Sequence, residues 1–430
     1  MSFDIPLSYR PKLAIVGGGI SGMAAAYELA DRFQVTLFES EARMGGHART
    51  VMAGINGDQP VDTGFIVFNY VNYPHLTRMF RDLDVPVEKS DMSFGATIDG
   101  GRIEYGLRSL GALMGQKTNL MRPGFHRMVR DIFRFNAHAE RLAQDDTVTI
   151  GDLIREMRLG DWFRCYYLMP ICGAIWSTPA SEIDAFPAKS LVRFFRNHAL
   201  LSHKGQHQWW TVSGGSQAYV SRLCANLVAR GVTLREASPV ESVERHQMGA
   251  RVTCWGAEPE SFEHVVFACH SDDALRILRD ARPDERAALA ELRYQDNTMI
   301  LHRDIAQMPL RRSCWSSWVY KADLVDARPK IGVTYWMNRL QNIPEQDPLF
   351  VSLNPATPVR DELIYDQKVF RHPIFDGAAL RAQGAIARLQ GKQNTWFAGA
   401  YLRHGFHEDG YASAMRVARQ ILSQNMAIAA

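Results

Sequence analysis

The residues best suited to chemistry lie near the end of the sequence, in the stretch RHGFHEDGYASA from Arg403 to Ala414. In this stretch His404 and His407 stand beside Glu408 and Asp409. Imidazole and carboxylate groups are the usual general acids and bases of enzymes. Carboxylates at the start of a helix can also cap its free N–H groups, and the pattern YASAMRVARQIL that follows is typical of a helix. The stretch is therefore either an acid–base site or the cap of a helix that holds a cofactor.

A second group of residues, near the N-terminus, has the spacing of a nucleotide-binding turn. The segment KLAIVGGGISGMAAAYELADRFQVTLFES carries Gly17, Gly19 and Gly22 as G-x-G-x-x-G between a buried strand and a helix. The first glycine permits a tight turn, the second lets a pyrophosphate approach the backbone, and the third lets helix contact strand. Glu39 follows the second strand, roughly twenty residues after the turn, where a carboxylate can accept hydrogen bonds from ribose hydroxyls. The segment therefore predicts a dinucleotide site.

Length, composition and charge limit the class of protein. A chain of 430 residues exceeds what one compact core usually needs, so two domains are expected. The hydrophobic content of 46% and charged content of 22% are ordinary for a soluble enzyme. A net charge of +3 is too small to indicate nucleic acid as a partner. The six cysteines lack C-x-x-C spacing, which argues against a metal site and against a disulfide framework.

Two further absences in the sequence bear on location. The first residues, MSFDIPLSYRPK, lack the apolar core of a signal peptide. No run approaches the length of about eighteen apolar residues that a spanning helix needs. We therefore expect a cytoplasmic protein that can still contact the inner face of a membrane from the side.

Beyond the nucleotide-binding turn, the chain resembles the flavin-containing amine oxidase superfamily. ESEARMGGHART places Gly45 and Gly46 just after the acid of the turn, and PVDTGFIVFNY adds Gly64. In the superfamily an E-x-x-x-R-x-GG-R-x-x-T pattern follows the first βαβ unit. The resemblance implies FAD as cofactor, with these glycines close to it and Arg43 on a phosphate. His47 is a departure, because many members carry arginine there.

The same resemblance implies cofactor contacts later in the chain. Val240, in a block rich in strands, stands where a backbone group contacts adenine. The segment TWFAGAYLRHGFHEDGYASAMRVARQIL resembles the C-terminal flavin motif, with Gly399 and Gly410 beside the ring and ribityl chain. Backbone N–H groups of Gly410 and Tyr411 are expected to face the flavin pyrimidine edge. The glutamate that follows A-G in the family is replaced here by Ala400 and Tyr401. Glu408 or Asp409 is therefore expected to take over its contact with the pyrophosphate or ribityl chain.

The implied fold is α/β, with a Rossmann-type FAD-binding domain interleaved with a mixed α+β substrate domain. No Gly/Ser linker separates two halves of the chain. We expect the FAD-binding domain to comprise 1–75, 206–295 and 385–430. The substrate domain then comprises 76–205 and 296–384. Its aromatic segments, such as YYLMPICGAIWSTP and SCWSSWVYK, predict a pocket for an apolar substrate.

The order of motifs along nearly the whole chain is similar to a narrower bacterial family. GGHART, VDTGFIVFN, MPICGAIWSTP, VVFACHSDDAL and GFHEDG occur in sequence, as in predicted NAD/FAD-binding proteins related to the flavin-type desaturase of furan fatty acid synthesis. Members accompany lipid methyltransferases, which implies such an enzyme as a partner. The resemblance implies dehydrogenation of a methyl-branched fatty acyl chain of a membrane lipid. An amine oxidase that releases imine and hydrogen peroxide, and a flavin-binding methyltransferase partner without redox chemistry, remain alternatives.

Dehydrogenation of a carbon chain also requires a base and access to the lipid. His407, Glu408 and His302 are the candidate catalytic residues, because a base must remove a proton beside the carbon that loses hydride. The segment from Leu107 to Arg141 holds seven Lys or Arg and two acids, interleaved with large apolar residues. This pattern is typical of a helix on an anionic membrane, and also of a solvated helix face.

Overall fold

The computed structural model of the chain describes residues 9–145, 147–176, 183–197, 207–325 and 328–429. Its helices are α1 Ile20–Leu29, α2 Pro74–Asp82, α3 Leu110–Leu113, α4 Pro123–Leu142, α5 Ile150–Glu156, α6 Asp161–Phe163, α7 Met169–Trp176, α8 Ala188–Asn197, α9 Gln217–Ala229, α10 Ser271–Ile277, α11 Pro283–Ala290, α12 Met337–Leu340, α13 Gly377–Ala387 and α14 His407–Ala429.

The described residues also form twenty strands. They are β1 Lys12–Val16, β2 Gln34–Phe38, β3 Thr50–Ala53, β4 Gln59–Asp62, β5 Val67–Phe68, β6 Val87–Ser90, β7 Phe94–Ile98, β8 Ile103–Gly106, β9 Trp209–Val212, β10 Thr233–Arg235, β11 Val240–His246, β12 Gly249–Cys254, β13 Glu260–Phe262, β14 His264–Phe267, β15 Tyr294–His302, β16 Trp318–Val325, β17 Arg328–Trp336, β18 Phe350–Leu353, β19 Ile364–Pro373 and β20 Thr395–Phe397.

A five-stranded parallel sheet carries the nucleotide-binding turn. Its strand order is β10-β2-β1-β14-β20, and each neighbouring pair is parallel. Helix α1 connects β1 to β2, and its three alanines, 24 to 26, are fully buried. A Cβ on Gly22 would lie only 1.8 Å from the carbonyl oxygen of Gly17, so only glycine lets this helix approach the strand so closely. The predicted α/β fold is confirmed.

A separate mixed sheet forms the second part of the molecule. Its seven strands run in the order β19-β15-β18-β17-β16-β7-β8, antiparallel except where β16 pairs with β7. Buried residues of β7, β8 and β16 form one core with those of helices α4 to α8. This sheet and its helices form a part of the molecule separate from the parallel sheet, and its role as a substrate domain stays a prediction.

The described elements also show where the chain crosses between the two parts. Strand β15 begins at Tyr294, beside the predicted boundary at 295. Helix α2 extends past the predicted boundary at 75 and packs in the core of the FAD-binding part through Leu76 and Met79. Helix α13 spans the boundary at 385, with Ala379 and Ile386 in a core shared with α11. The boundary at 205/206 lies outside the described residues. No helix in the described ranges has the length and hydropathy to cross a membrane.

Candidate active site

Two glycine turns lie against each other at the start of α1. The N–H of Gly45 donates to the carbonyl of Gly18 over 2.9 Å. A Cβ on Gly46 would lie 3.0 Å from the Cα of Gly19, so the contact requires bare backbone. Gly45 and Gly46 have φ of +120° and +56°, which favour glycine. The turns therefore form a backbone cradle beside the N-terminus of α1, where a pyrophosphate can approach.

Glu39 lies at the end of β2, as the sequence predicts. Its Oε2 accepts a hydrogen bond from the N–H of Gly18 over 2.7 Å, and its Oε1 accepts from the N–H of Glu41 over 2.8 Å. These bonds hold the carboxylate at the nucleotide-binding turn, where the ribose contact stays a prediction.

Arg43 lies against the second glycine turn, and its contact with a phosphate stays a prediction. Its guanidinium donates to the carbonyls of Gly46 over 2.7 Å and Ala48 over 3.0 Å, and pairs with Glu41. Burial lowers the pKa of this guanidinium. Arg43 therefore braces the second glycine turn, because its donors are directed at backbone carbonyls of that turn.

The loop that carries Gly64 runs along the same turn. A Cβ on Gly64 would lie 2.0 Å from the carbonyl oxygen of His47, so only glycine fits. The His47 ring stacks on Phe370 with centroids 4.9 Å apart. Its Nε2 is buried without a hydrogen-bond partner among the described residues, and burial holds its pKa well below the ordinary value. An unpartnered nitrogen in the wall of this cradle fits a bound FAD, which carries hydrogen-bonding groups along its length.

A cavity of about 1000 Å³ begins at the glycine turns and reaches α3 and α4. The cofactor end is lined by Gly19, Gly46, Gly64, Gly399 and Ala400. Aromatic groups follow, among them Phe65, Trp209, Trp318 and Tyr335. The far end is lined by Leu107, Leu113, Val129, Ile132 and Ile171. The volume lies at the top of the range of about 300–1000 Å³ for ligand sites, as a site for both flavin and substrate requires.

Of the three predicted catalytic residues, His407 is the one that lines this cavity. Its ring stacks on Phe65, with centroids 4.0 Å apart and planes 12° from parallel. Its Nε2 lies 2.6 Å from the hydroxyl of Tyr219. Burial lowers the pKa of His407 to about 3, so the ring is neutral at physiological pH. The ring can accept a proton where a bound group stabilises the imidazolium, because burial by itself disfavours the charged form.

Glu408, the next residue, does not line the cavity. Its two carboxylate oxygens accept hydrogen bonds from the N–H groups of His75 and Leu76, each over 3.0 Å. These are free N–H groups in the first turn of α2. Burial raises the pKa of Glu408 to about 7. The geometry thus makes Glu408 a cap of α2, and does not support the predicted contact with substrate.

His302 is also placed away from the cavity. It lies at the end of β15, fully buried, with Nε2 2.8 Å from the hydroxyl of Ser352. Its Nδ1 accepts a hydrogen bond from the N–H of Asp304 over 3.0 Å. Burial lowers the pKa of His302 to about 4. Both ring nitrogens are engaged inside the sheet, so the position supports a structural role.

The start of α14 is capped by its own third residue. Asp409 accepts a hydrogen bond from the N–H of Phe406 over 3.0 Å and lies 3.5 Å from Arg403. Burial raises the pKa of Asp409 to about 6. Capping by Asp409 agrees with the sequence analysis. Because Asp409 does not line the cavity, the predicted transfer of a cofactor contact to it has no support in the geometry.

The N–H donors of this helix lie earlier than predicted. The N–H of Gly410 already donates to the carbonyl of Phe406 over 3.1 Å, so the free donors are those of the first turn, 407–409. A Cβ on Gly410 would lie 2.8 Å from Ser21 Oγ, so glycine is required where α14 meets α1. The Tyr411 hydroxyl donates to Glu28 over 3.0 Å. Gly410 and Tyr411 therefore join α14 to α1, and His407 is the residue of the first turn that lines the cavity.

The last two predicted cofactor residues have different positions. Gly399 lines the cavity, and its N–H donates to Ser413 Oγ over 2.8 Å. Val240 begins β11 and pairs with Cys254 in a small antiparallel sheet. It is buried in the core that also contains Val16 and Phe38 of the parallel sheet. The backbone contact of Val240 with adenine stays a prediction.

Two histidines of the cavity wall were missed by the sequence analysis. The rings of His372 and His270 lie 5.5 Å and 6.2 Å from His47. His270 follows β14, and ligands of open α/β sheets bind at the carboxyl ends of strands, a rule that points to this residue. His270, Asp272 and Asp273 lie close enough to hold a metal ion. However, Arg371 forms ion pairs with both carboxylates, which already balances their charge.

Comparison with known proteins gives both a family and a fold. A family model described as "Flavin containing amine oxidoreductase" matches residues 20–302. Over 54 residues the chain is 46% identical to protoporphyrinogen oxidase 2, chloroplastic/mitochondrial, of Arabidopsis thaliana, a match that covers 12% of this chain and 11% of that protein.

Several solved structures share the architecture over nearly their whole length. A putative protoporphyrinogen oxidase from Exiguobacterium sp. 255-15 has a TM-score of 0.68 at 17% identity, covering 96% of this chain and 99% of that one. A CLA-producing fatty acid isomerase from P. acnes has a TM-score of 0.66 at 15% identity, covering 95% and 98%. Putrescine oxidase bound to putrescine has a TM-score of 0.65 at 16% identity, covering 96% and 99%. At these identities the likeness shows the fold alone.

Proposed function

The chain belongs to the family of flavin-containing amine oxidoreductases and is an FAD-dependent oxidoreductase, and from this premise we propose that its substrate is a fatty acyl chain. The observation that carries the proposal is the shape of the cavity. It continues past the aromatic groups near the cofactor end into an aliphatic section that reaches α3 and α4. Such a lining favours a long apolar substrate, because the transfer of each part of an acyl chain from water into the cavity is favourable. The existence of a fatty acid isomerase with this fold supports the proposal.

The proposed reaction is a dehydrogenation that introduces a double bond. Bound FAD supplies the hydride acceptor, N5 of the flavin. A C=C bond would form by loss of a hydride from one carbon of the acyl chain, which FAD would accept when bound, and loss of a proton from the neighbouring carbon. We assign the proton to His407, which lines the cavity as a neutral imidazole between Phe65 and Tyr219. The aromatic groups exclude water from the reacting carbons. We propose from the order of the sequence motifs alone that the acyl chain is methyl-branched and part of a membrane lipid.

Amine oxidation is the second candidate. The rings of Trp318 and Tyr335 line the cavity 5.0 Å apart, and aromatic faces can bind an ammonium ion. A putrescine oxidase also has this fold. Against it, no Asp or Glu occurs among the described residues that line the cavity, whereas Arg108 and Arg371 do. A cationic amine would enter this site without a carboxylate to balance its charge, so the acyl chain is the better fit.

Anaerobic mixing distinguishes the candidates. Purified protein with FAD bound is mixed with a methyl-branched acyl lipid, with the corresponding free acid, or with mono- and diamines, while the absorption of oxidised flavin is followed. We expect bleaching by an acyl compound. Bleaching by amines alone would refute the proposal in favour of an amine oxidase. Bleaching by none of them would favour a flavin-binding partner of a lipid methyltransferase.

A variant in the aliphatic section of the cavity tests whether the acyl chain lies there. Ile132→Trp is expected to narrow the far end of the cavity, so reduction by long acyl chains falls at least about tenfold while short chains still react, since a misfitted bulky group costs about 1–3 kcal/mol. His138→Trp adds the same ring on the exposed face of the same helix and serves as the matched control. Equal rates for long and short chains in Ile132→Trp would contradict the proposed route.

A further inference from the structure

The cavity opens at the surface beside α3 and α4. Four described residues are both exposed and part of its wall there, namely Arg108, Ser109, Leu110 and Phe133. Gly405 marks a second exposed point, at the C-terminal loop. We infer that the first opening is a membrane-docking rim, through which an acyl chain of an anionic phospholipid passes from the bilayer into the cavity. The rim is the segment 108–134, and the inference rests on the proposed acyl substrate.

Large apolar side chains project from this rim into solvent. Leu110 is 77% exposed, Met121 81% and Phe133 53%, and Leu120 beside them is also exposed. Single exposed apolar residues are ordinary, but a group of them around the mouth of an apolar cavity marks an interaction surface. Their burial among acyl chains would remove this apolar area from water. The rim is therefore built to enter an apolar phase.

The charges of the rim determine whether it binds an anionic or a neutral membrane surface. The cations within it are Arg108, Lys117, Arg122, Arg127, Arg130 and Arg134. The one acid in the same range, Asp131, is fully buried and accepts a hydrogen bond from the N–H of Gly160 over 2.9 Å. Asp131 also forms ion pairs with Arg127 over 3.9 Å and with Arg130 over 3.4 Å. Arg108, Lys117, Arg122 and Arg134 are therefore the rim cations without an ion-paired carboxylate among the described residues. Cations beside apolar groups on a helix are attracted to the phosphates of an anionic leaflet.

Arg108 has the best position to contact the lipid that enters. It is exposed at the opening and also lines the cavity, and no carboxylate of the described chain forms an ion pair with it. Its planar guanidinium can bind two oxygens of a phosphodiester at once. A head group held at Arg108 would leave its acyl chain directed past Leu113 and Ile132 toward the flavin. Arg108 is therefore assigned as the head-group contact.

Vesicle sedimentation tests the docking of the protein with FAD bound. Vesicles of phosphatidylglycerol and of phosphatidylcholine are compared at low and high salt. We expect binding to phosphatidylglycerol to be at least tenfold stronger and to weaken with salt. Met121→Ser is expected to weaken it roughly tenfold. The matched control is Met248→Ser, 79% exposed between β11 and β12, which is expected to bind like the parent.

The charged residues are tested in the same way. Arg108→Gln and Arg134→Gln are each expected to weaken binding to phosphatidylglycerol about fivefold. The control is Arg251→Gln, an exposed arginine on β12. Thermal melting of each variant checks that the fold is retained.

The outcomes separate this inference from the proposed function. Equal binding to both lipids would overturn the anionic phospholipid as the occupant. No binding to either lipid, or equal losses in the rim variants and their controls, would overturn docking through the rim. Binding of phosphatidylcholine vesicles only when they contain free fatty acid would overturn the phospholipid head group at Arg108. Docking as expected without flavin reduction by any acyl lipid would refute the proposed function alone. Flavin reduction by acyl lipid in detergent, without vesicle binding, would refute the docking alone.

Discussion

Replacing Glu408 tests whether this carboxylate caps a helix or takes part in chemistry. In the structure its oxygens accept the N–H groups of His75 and Leu76, and the residue is 6% exposed. Glu408→Ala removes both acceptors at once. We therefore expect the variant to be less stable, while FAD-saturated protein is still reduced by substrate at a similar rate.

The loss in the free energy of unfolding of Glu408→Ala follows from the two hydrogen bonds that are removed. A buried N–H without a partner costs about 1–3 kcal/mol, and loss of a helix cap about 0.5–2 kcal/mol. The Leu76 N–H is buried whereas that of His75 is partly accessible to water, so about 3 kcal/mol is expected for the pair. The entropy of unfolding is about 0.9 kcal/mol/K for a chain of 430 residues. Glu408→Ala should therefore lower Tm by roughly 3 °C.

Glu408→Gln adds a test of pH dependence. Its amide oxygen can accept one of the two N–H groups, so about half of the loss is expected, roughly 1.5 kcal/mol. Burial raises the pKa of Glu408 from 4.5 to about 7. Between these values the folded parent binds a proton that the unfolded chain does not, so this contribution to stability is present below about pH 4.5 and lost as pH rises through 7. The Tm gap between parent and Glu408→Gln should therefore narrow from pH 5 to pH 8.

Thermal melting and stopped-flow flavin reduction are the two assays. Glu258→Ala, at an exposed position, is the control and should leave Tm unchanged. The interpretation fails if Glu408→Gln has the same Tm as the parent at pH 5, retains FAD and is reduced about a hundredfold more slowly. That result would make Glu408 the base, since a positioned acid–base group contributes about 100-fold or more.

Three other predictions follow from the site. FAD should be released by acid precipitation, because Cys269, the cysteine in the described cavity wall, is a thiol whose pKa is raised by burial; flavin colour kept in the pellet would contradict this. Glu39→Ala should weaken FAD binding about tenfold to a hundredfold through lost bonds to ribose, and equal FAD occupancy after dialysis would exclude that contact. His407→Gln, saturated with FAD, should be reduced about a hundredfold more slowly; an unchanged rate would remove His407 as the base.

The nucleotide-binding turn could be predicted from the sequence because all its parts are local. Gly17, Gly19, Gly22 and Glu39 lie within one βαβ unit, whose geometry follows from strand and helix periods and from the steric freedom of glycine. The same is true of the Asp409 cap, where the carboxylate reaches a backbone N–H three residues away. The dinucleotide site followed from these local patterns, whereas FAD and the interleaved α/β fold followed from the resemblance to the flavin-containing amine oxidase superfamily.

The roles of other residues were decided only by tertiary structure. Glu408 caps a helix 333 residues earlier in the chain, and spacing within the C-terminal stretch contains no information about that partner. His302 is fully buried inside a sheet, whereas His407 is partly exposed and lies in the cavity wall. Sequence periodicity predicts which residues are buried, whereas the cavity is bounded by segments from all parts of the chain. Which buried group faces it depends on how those segments pack together, because packing sets the direction of each side chain.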